Sequence, residues 1–433
     1  MKKTRKNKNI YDEMITMDNL YNVWNIIRKT CKNKREVFYF SLNLNSNLMH
    51  IYKMLKKRCY TPSKYRPFMI FEPKPRLVMS QCITDKIVNH FVTNYYLIPL
   101  LDATLIDSNV ATRKGKGTDY AFTLLKRYFN KIIINEHPKE IYVLKIDVSK
   151  YFYTIDHDIL INKLKTKIMD DDIINLISII ISETNKDYIN NVINKYNNLY
   201  DTNIPLYKNY KGLSIGAMSS QFLAIYYLND IDHYIKEVLG CKYYIRYMDD
   251  FLILDTNKER LKNIWYDIAN KISNLKLRVN DESNIYRSTN GFNFLGYKYV
   301  FNGKKLETFF CKKTYTKMIK KLNYLYISDK LMYNKSYASY YGYLKRIGKV
   351  KEYDFKITVG ELYNLYKEKY NNSVIIIKDK RKYKALDKYI LNNKQYTFLI
   401  DRLMKLGASF IVANKNDVLI KKDVSLGLHL RSS

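Results

Sequence analysis

Cysteine is scarce in this sequence, and the few cysteines are scattered. No two of them form a CxxC pair, the spacing typical of zinc sites and of many short disulfide frameworks. The sequence therefore predicts neither kind of site and is typical of a protein from a reducing compartment. The five cysteines are Cys31, Cys59, Cys82, Cys241 and Cys311.

Long apolar runs are also missing. The basic start MKKTRKNKNIYDEM is not followed by the apolar core of a signal peptide. No stretch reaches the roughly 18 uninterrupted apolar residues that a membrane-spanning helix needs. Secretion and membrane spanning are therefore not expected, and a cytoplasmic location is predicted.

Acidic residues are few relative to basic ones. The 433 residues include 75 Lys and Arg against 41 Asp and Glu, a formal net charge of +34. A gene rich in A and T codons would also supply many Lys, Asn, Ile and Tyr residues, but it does not explain the shortage of acids. The excess favours a polyanionic partner, above all nucleic acid, with an anionic membrane surface or an acidic protein as alternatives.

Apolar residues are plentiful, at 47% hydrophobic and 15% aromatic. These shares exclude a disordered basic tail, because such chains lack the apolar surface that offsets chain entropy. At about 100 to 200 residues per domain, the length allows about two to four modules. The sequence therefore predicts a folded basic protein with a sizeable core.

Local patterns predict both helices and strands. Apolar positions recur at helical spacing between Met17 and Lys57, which predicts two helices there. The segment YRPFMIFEPKPRLVMS alternates and carries prolines, which predicts a hairpin with Pro73 and Pro75 at its turn. Residues 184–211 are rich in Asn and Tyr with little periodicity, and we interpret them as a loop or small insertion.

An acidic pair stands where two apolar strands meet. The segment CKYYIRYMDDFLILD predicts a strand, a two-residue turn at Asp249 and Asp250, and a second strand. An isolated pair of this kind is more often an ordinary turn than a metal site. Asp147, however, ends the apolar strand Ile141 to Val148, which could lie beside this hairpin in one antiparallel sheet. Three carboxylates so placed would suit two Mg²⁺ ions about 3.5 to 4 Å apart.

Four segments resemble, in order and spacing, the palm motifs of reverse transcriptases. They are KIDVSKYFYTIDH, GLSIGAMSSQ, RYMDDFLIL and NFLGYKY. Upstream, YRPFMIFEPKPRLVMSQCITDKIVNH and SNVATRKGKGTDYAF are similar to the two fingers motifs of that family. The resemblance covers about residues 40 to 300, with a weaker thumb-like continuation to about residue 350.

The resemblance implies an α+β fold, the right-hand polymerase with fingers, a palm of antiparallel sheet and helices, and a helical thumb. It also implies a division of the chain. The expected parts are an N-terminal basic arm and helix (1–40), fingers with the first part of the palm (41–135), palm (136–305), thumb-like helices (306–356) and a C-terminal extension of unknown role (357–433).

Catalytic roles follow from the resemblance by matching positions. Asp147 and Asp249 correspond to the aspartates that ligate both metal ions, Asp250 completes the acidic triad, and Val148 would offer a backbone carbonyl. The implied cofactor is a pair of Mg²⁺ ions, with Mn²⁺ as a substitute. Phe152 corresponds to the aromatic residue that packs against the sugar C2′ and rejects a 2′ hydroxyl. Its alternative is an ordinary core position.

The resemblance also implies contacts with substrate and duplex. Gln221 corresponds to a residue near the template base and incoming nucleotide, or is simply a polar residue at a helix start. Cations of the fingers motifs would grip the triphosphate, although each could equally be a solvated surface residue. They are Arg76, Arg113, Lys114 and Lys116. A stripe of lysines at helical spacing would follow duplex phosphates or form a solvated face. It comprises Lys312, Lys313, Lys317, Lys320 and Lys321, of which Lys313, Lys317 and Lys320 are the predicted duplex contacts.

The expected function is RNA-directed DNA polymerisation, with an RNA template, a DNA product, deoxynucleotides and no membrane. The GxxxSQ ending, Gly216 to Gln221, resembles bacterial reverse transcriptases of diversity-generating retroelements and phage-defence groups. A dedicated non-coding RNA and an accessory protein would then be partners. Three alternatives stay open: an RNA-dependent RNA polymerase, a template-independent or protein-primed DNA polymerase of a defence system, and a non-catalytic RNA-binding scaffold. Phe152 and the YMDD form of the turn count against the RNA-dependent RNA polymerase. The intact acidic triad counts against the scaffold.

Overall fold

The protein is described from a computed structural model that covers residues 9–31, 33–71 and 74–347, together with four short strands farther along the chain. The chain divides into two compact units. The first comprises Met1–Phe292 and Val300–Leu306, and the second comprises Asn293–Tyr299 and Glu307–Ser433.

Helices dominate the described part of the chain. The α-helices are α1 (Ile10–Met14), α2 (Met17–Thr30), α3 (Lys34–Leu42), α4 (Leu44–Lys56), α5 (Ile83–Val92), α6 (Ile98–Leu101), α7 (Thr118–Glu136), α8 (Tyr151–Thr154), α9 (His157–Lys165), α10 (Asp171–Ser182), α11 (Asp187–Tyr200), α12 (Met218–Tyr227), α13 (Asn229–His233), α14 (Lys258–Asn274), α15 (Lys312–Ser328) and α16 (Lys330–Ile347).

Within the described ranges, the strands form four small sheets. The strands are β1 (Arg66–Ile70), β2 (Arg76–Ser80), β3 (Tyr142–Ile146), β4 (Tyr244–Tyr247), β5 (Asp250–Asp255), β6 (Asn284–Arg287), β7 (Phe292–Phe294), β8 (Tyr297–Phe301), β9 (Leu306–Phe310), β10 (Val374–Asp379), β11 (Lys382–Ala385), β12 (Phe410–Asn414) and β13 (Lys421–Lys422). The sheet orders are β1-β2, β4-β5-β3-β6, β7-β8-β9 and β11-β10-β12-β13.

The sheet β4-β5-β3-β6, here called the palm sheet, is antiparallel throughout. Its central strands β3 and β5 are almost continuously buried, with Val143, Leu144 and Ile146 at 0% exposure. Such runs are expected where a sheet is covered, and α14 packs against both β3 and β5. The prediction that the apolar strand before Asp147 joins the acidic hairpin in one antiparallel sheet is confirmed.

The N-terminal region contains three long helices, so the prediction of two was wrong. The helices α2 and α4 bury the apolar positions that recur at helical spacing. These positions are Leu20, Val23, Trp24, Ile27, Leu48, Ile51 and Leu55. Helix α3 buries none of its residues completely. It therefore lacks the apolar stripe that would have revealed it in the sequence.

The segment interpreted as a loop or insertion contains the 14-residue helix α11, so that interpretation was wrong for half of it. Ile189 and Ile193 of this helix are fully buried in a cluster shared with Leu77 and Met79 of β2. Asn190 binds the loop that follows the helix through two hydrogen bonds of 2.9 Å. Its Nδ2 donates to the carbonyl oxygen of Tyr207, and its Oδ1 accepts from the N–H of Tyr207. Tertiary packing here outweighs a modest local helix preference.

In the second unit, α15 and α16 pack against each other. Strand β10 pairs in parallel with β12, and β11 and β13 add antiparallel at the two edges. Most of the predicted C-terminal extension lies outside the described residues. Among the helices that the structure describes, none is both long and apolar enough to cross a membrane.

Candidate active site

The tip of the β4–β5 hairpin carries the acidic pair. Tyr247 and Asp250 are the last residues paired across the hairpin, so its turn consists of Met248 and Asp249. The predicted turn was therefore wrong by one residue, because Asp250 already belongs to β5. Met248 has a φ of 57°, in the left-handed region that residues with side chains rarely adopt. The chain thus accepts backbone strain directly before Asp249.

Asp147 lies next to this hairpin. The pairing of β3 with β5 extends to Ile146 and Phe251. The next residue along each strand is Asp147 on one side and Asp250 on the other. The side-chain amide of Asn280 donates a hydrogen bond of 2.9 Å to Oδ2 of Asp147. This bond fixes the carboxylate in the direction set by the sheet.

Val148 follows Asp147 and is paired with Val279 in an isolated antiparallel bridge. Two backbone hydrogen bonds, of 2.8 and 2.7 Å, flank this pair and involve the neighbours of Val148 rather than Val148 itself. In such a pair the peptide groups of the central residues point away from the partner strand. The Val148 carbonyl is therefore not used in this pairing, as its predicted role requires.

Two carboxyl groups of the acidic triad, those of Asp249 and Asp250, have raised pKa values. Partial burial and then the charge of Asp147 raise the pKa of Asp249 to about 6. Burial raises the pKa of Asp250 to about 7, with the Asp147 and Asp249 charges adding to the effect. The ammonium of Lys145, 3.4 Å from Oδ2 of Asp250, opposes this rise. The acidic triad is thus a site of concentrated negative charge that a cation would relieve.

The residues present fit a divalent cation. Oδ1 of Asp250 is buried without a hydrogen-bond partner. Nowhere in the described ranges do three or more His, Cys, Asp or Glu side chains converge closely enough to form a metal cage of their own. Mg²⁺ commonly binds one or two carboxylates and takes its other ligands from water and substrate phosphates. Asp147 and Asp249 could supply the two carboxylates of such a site.

Arg76 lies within electrostatic reach of the acidic turn. It is the first residue of β2, where it pairs with Ile70, and its side chain is exposed. Its positive charge lowers the pKa of Asp249, which places the guanidinium within electrostatic reach of the turn. This position is compatible with the predicted contact to a triphosphate.

The other predicted triphosphate cations lie on the loop of residues 102–116. Arg113 is 10% exposed and its Nε lies 2.8 Å from Oδ1 of Asp102. Lys116 is 13% exposed and lies 2.6 Å from Oδ1 of Asp107. The sequence did not predict these internal pairs, and gripping a triphosphate would require them to open. Lys114 is exposed.

Phe152 and Gln221 both have half-buried side chains. The ring of Phe152 packs against the main core and meets Tyr151 edge-on at 5.9 Å, so sugar contact and core packing both remain open to it. Gln221 lies in the first turns of α12. Just before that helix, Gly216 has a φ of 115°, and a Cβ there would lie 2.9 Å from Cγ1 of Val78. Only glycine fits this approach to β2 without strain.

Residues 55–299 match the family described as reverse transcriptase (RNA-dependent DNA polymerase). The chain belongs to the reverse transcriptase family. The match includes the palm sheet, the acidic triad and the β1–β2 hairpin, and it confirms the predicted family and its right-hand polymerase fold. No curated protein is similar enough in sequence to match this reverse transcriptase.

Two telomerase structures are similar to this reverse transcriptase. Apo telomerase from Candida tropicalis, truncated from its C-terminal domain, is 14% identical over 59% of this chain and 58% of that chain, with a TM-score of 0.40. Telomerase from Candida albicans with the TWJ fragment of telomeric RNA is 12% identical over 77% of this chain and 62% of that chain, with a TM-score of 0.42. This chain therefore matches about three fifths of the length of either one.

The predicted lysine stripe lies on α15 of this reverse transcriptase. Lys317 and Lys320 are exposed, whereas the side chain of Lys313 lies outside the described part of the chain. Met318, Leu322 and Tyr326, spaced by four residues, are buried. The helix is therefore amphipathic, as the spacing predicts, and contact with a duplex stays a prediction.

Sequence reasoning missed a charged pair directly behind the acidic turn. Arg246 of β4 and Asp232 of α13 are both completely buried and form an ion pair. A signal was present, because Arg246 stands inside the otherwise apolar and aromatic strand YYIRYM. A charged residue at a buried strand position requires a partner.

Proposed function

We propose that this chain copies RNA into DNA, adding deoxynucleotides to a 3′ end with two Mg²⁺ ions held by Asp147 and Asp249. One observation carries the proposal. Carboxylates from β3 and from the β4–β5 hairpin meet at one end of the palm sheet, and their repulsion helps to raise the pKa of Asp249 and Asp250. A protein would retain such repulsion where a cation has to bind.

Each residue of the site has a definite task in this proposal. Divalent ions bound there would activate the attacking 3′ hydroxyl and stabilise charge on the leaving pyrophosphate. Asp147 and Asp249 hold the cations, and Asn280 orients the Asp147 carboxylate through its 2.9 Å hydrogen bond. Asp250 adds negative charge that Lys145 limits. Arg76 is close enough to neutralise a substrate phosphate beside the turn.

The nucleic-acid partners are assigned on charge and on the sequence motifs. A net charge of +34 supports binding of an RNA template and a DNA product largely through phosphates. Phe152 would exclude ribonucleotides at the sugar. The Gly216 to Gln221 motif supports a place among bacterial enzymes of retroelements or phage defence, with a dedicated non-coding RNA and an accessory protein as partners.

Replacing Asp249 tests the catalytic part of the proposal. Asp249→Ala and the isosteric Asp249→Asn should lower primer extension by at least about a thousandfold, since they remove a metal ligand. RNA affinity should stay near the wild-type value, because phosphate contacts supply it. Glu259→Gln, which removes a carboxylate that is 74% exposed, is the matched control and should extend primers normally. Wild-type extension by a folded Asp249 variant would refute the site assignment.

The template needs a separate experiment. Nucleic acid that co-purifies with the protein should be sequenced from wild type and from Asp249→Asn. We expect one enriched RNA in both samples and complementary DNA only with wild type. DNA of unrelated sequence with the active protein would favour template-independent synthesis. Enriched RNA without any DNA in either sample would favour the scaffold alternative.

A further inference from the structure

The buried ion pair behind the catalytic turn is unusually well connected. Nε of Arg246 lies 2.6 Å from Oδ1 of Asp232, and Nη2 lies 2.5 Å from Oδ2, a two-pronged contact between planar groups. The hydroxyl of Tyr244 donates a third hydrogen bond, of 2.6 Å, to Asp232. Both charged side chains are 0% exposed.

Stability alone is a weak reason for such a pair. Removing two charges from water is costly, and apolar residues of similar volume often serve a core equally well or better. The remaining hydrogen bonds of Arg246 indicate what the pair does instead. Nη1 donates to the carbonyl oxygen of Met248 at 2.8 Å, and Nη2 donates to that of Ile225 at 2.7 Å.

These two carbonyls belong to the elements that flank the proposed site. Met248 is the strained turn residue next to Asp249, and strain of this kind persists only where the surroundings hold it. Ile225 lies in the last turn of α12, whose carbonyls lack partners within the helix, and Gln221 lies one turn earlier. A single guanidinium therefore joins the catalytic turn to the helix that carries Gln221.

The main chain of Arg246 also binds the loop of residues 102–116. Its N–H donates to the carbonyl of Ser108, and its own carbonyl accepts from the N–H of Val110, both at 3.0 Å. Residues 108–110 lie within the loop of residues 102–116, which also carries Arg113 and Lys116. The amide of Asn109 also approaches Oδ2 of Asp232 at 3.5 Å. Arg246 thus contacts the turn, α12 and the loop of residues 102–116.

We propose that Arg246 is a positioning residue for polymerisation, which Asp232 orients so that the Met248–Asp249 turn keeps its strained, metal-binding conformation. The inference rests on the proposed catalytic role of Asp249. Misplacement of a reacting group by about 1 Å can cost about a hundredfold in rate. Loss of the Arg246 contact to Met248 should therefore affect catalysis more than substrate binding.

Three variants test the inference in the full-length protein. Arg246→Lys keeps the charge but not the planar fork, Arg246→Met removes both, and Arg246→Met with Asp232→Leu replaces the pair by apolar residues. The matched control is Asp230→Asn on the same helix, whose carboxylate is 75% exposed. Single-turnover extension rate, nucleotide KM, the Mg²⁺ concentration for half-maximal rate and melting temperature should be measured for each.

We expect Arg246→Lys and Arg246→Met to lower the extension rate by about 10- to 100-fold, the loss typical when a residue that orients a metal ligand is removed. The Mg²⁺ midpoint should rise and nucleotide KM should change little. The double variant should recover melting temperature relative to Arg246→Met, because no unpaired charge remains buried, but it should not recover rate. Asp230→Asn should match wild type in all four measurements.

Several outcomes would overturn the inference. A double variant that regains rate together with melting temperature would show that the pair serves stability alone. If that variant does not fold, Arg246→Lys provides the test. Assays are then run at a temperature below the melting temperature of Arg246→Lys. An extension rate and a Mg²⁺ midpoint equal to those of wild type would exclude a positioning role for Arg246. Failure of the proposed function gives a different result. An active Asp249→Asn variant would refute the assignment of the turn as the catalytic site, whatever the Arg246 variants show.

Discussion

Asp250→Asn should make the metal-free protein more stable at neutral pH. The Asp250 side chain is 20% exposed, and burial raises its pKa from 3.8 to about 7. A rise of that size corresponds to about 4 kcal/mol against the ionised carboxylate. Asn keeps the shape without the charge. Because neighbouring charges relax together, we expect the substitution to recover about 2 to 4 kcal/mol of the free energy of unfolding.

The direction of the pH dependence follows from proton linkage. An aspartate with a raised pKa holds its proton more tightly in the folded chain than in the unfolded chain. Between about pH 4 and pH 7 the folded state therefore binds more protons, so this group lowers stability as the pH rises. Below about pH 4 both states are protonated, and the advantage of Asp250→Asn should disappear.

Melting temperatures in EDTA, at about pH 4.5 and pH 8, measure the effect. Asp250→Asn should melt about 2 to 6 °C above wild type at pH 8, and the difference should be much smaller at pH 4.5. Asp281→Asn, which removes a carboxylate that is 85% exposed, is the control and should show no such difference. Equal melting of Asp250→Asn and wild type at pH 8 would refute the reasoning that the triad stores unfavourable charge.

Three further variants test other parts of the proposal. Phe152→Ala should raise the ratio of ribonucleotide to deoxynucleotide incorporation on one primed template, and an unchanged ratio would leave the ring a core role only. Gly216→Ala should slow single-turnover extension, because the new Cβ would be strained at a φ of 115° and would lie 2.9 Å from Cγ1 of Val78. A wild-type rate would contradict this expectation. Replacing the α15 lysines by Gln should shorten the DNA products. It should also reduce the slope of log binding constant against log salt concentration, for duplex binding, by about 0.9 per lost phosphate contact. An unchanged slope would exclude this helix from duplex binding. These lysines are Lys313, Lys317 and Lys320.

The elements that carry the acidic triad could be predicted from the sequence. The apolar strand before Asp147 and the hairpin around RYMDDFLIL depend on periodicity and turn preferences, which act between neighbours along the chain. Both elements exist, and they share the palm sheet. The turn itself lies one residue earlier than predicted, because residue preferences locate a turn only approximately while strand pairing sets its register.

The helices α3 and α11 show where local patterns were insufficient. Helix α3 buries no residue completely, so no apolar stripe marks it. Helix α11 is rich in Asn, and only the packing of Ile189 and Ile193 beside β2 secures it. Intrinsic helix preferences differ by less than about 1 kcal/mol for most residues, so such contacts decide the outcome.

How the charges pair was decided by the tertiary structure alone. The sequence marks Arg113, Lys116 and Arg246 equally as cations, yet the first two pair within their own loop and the third is buried against Asp232. The strength of an ion pair changes by more than tenfold between water and a dry interior. Burial and partner geometry arise only when distant segments meet. The sequence by itself therefore determined the family, the palm strands and the acidic triad, while the folded chain determined which cations remain available to a substrate.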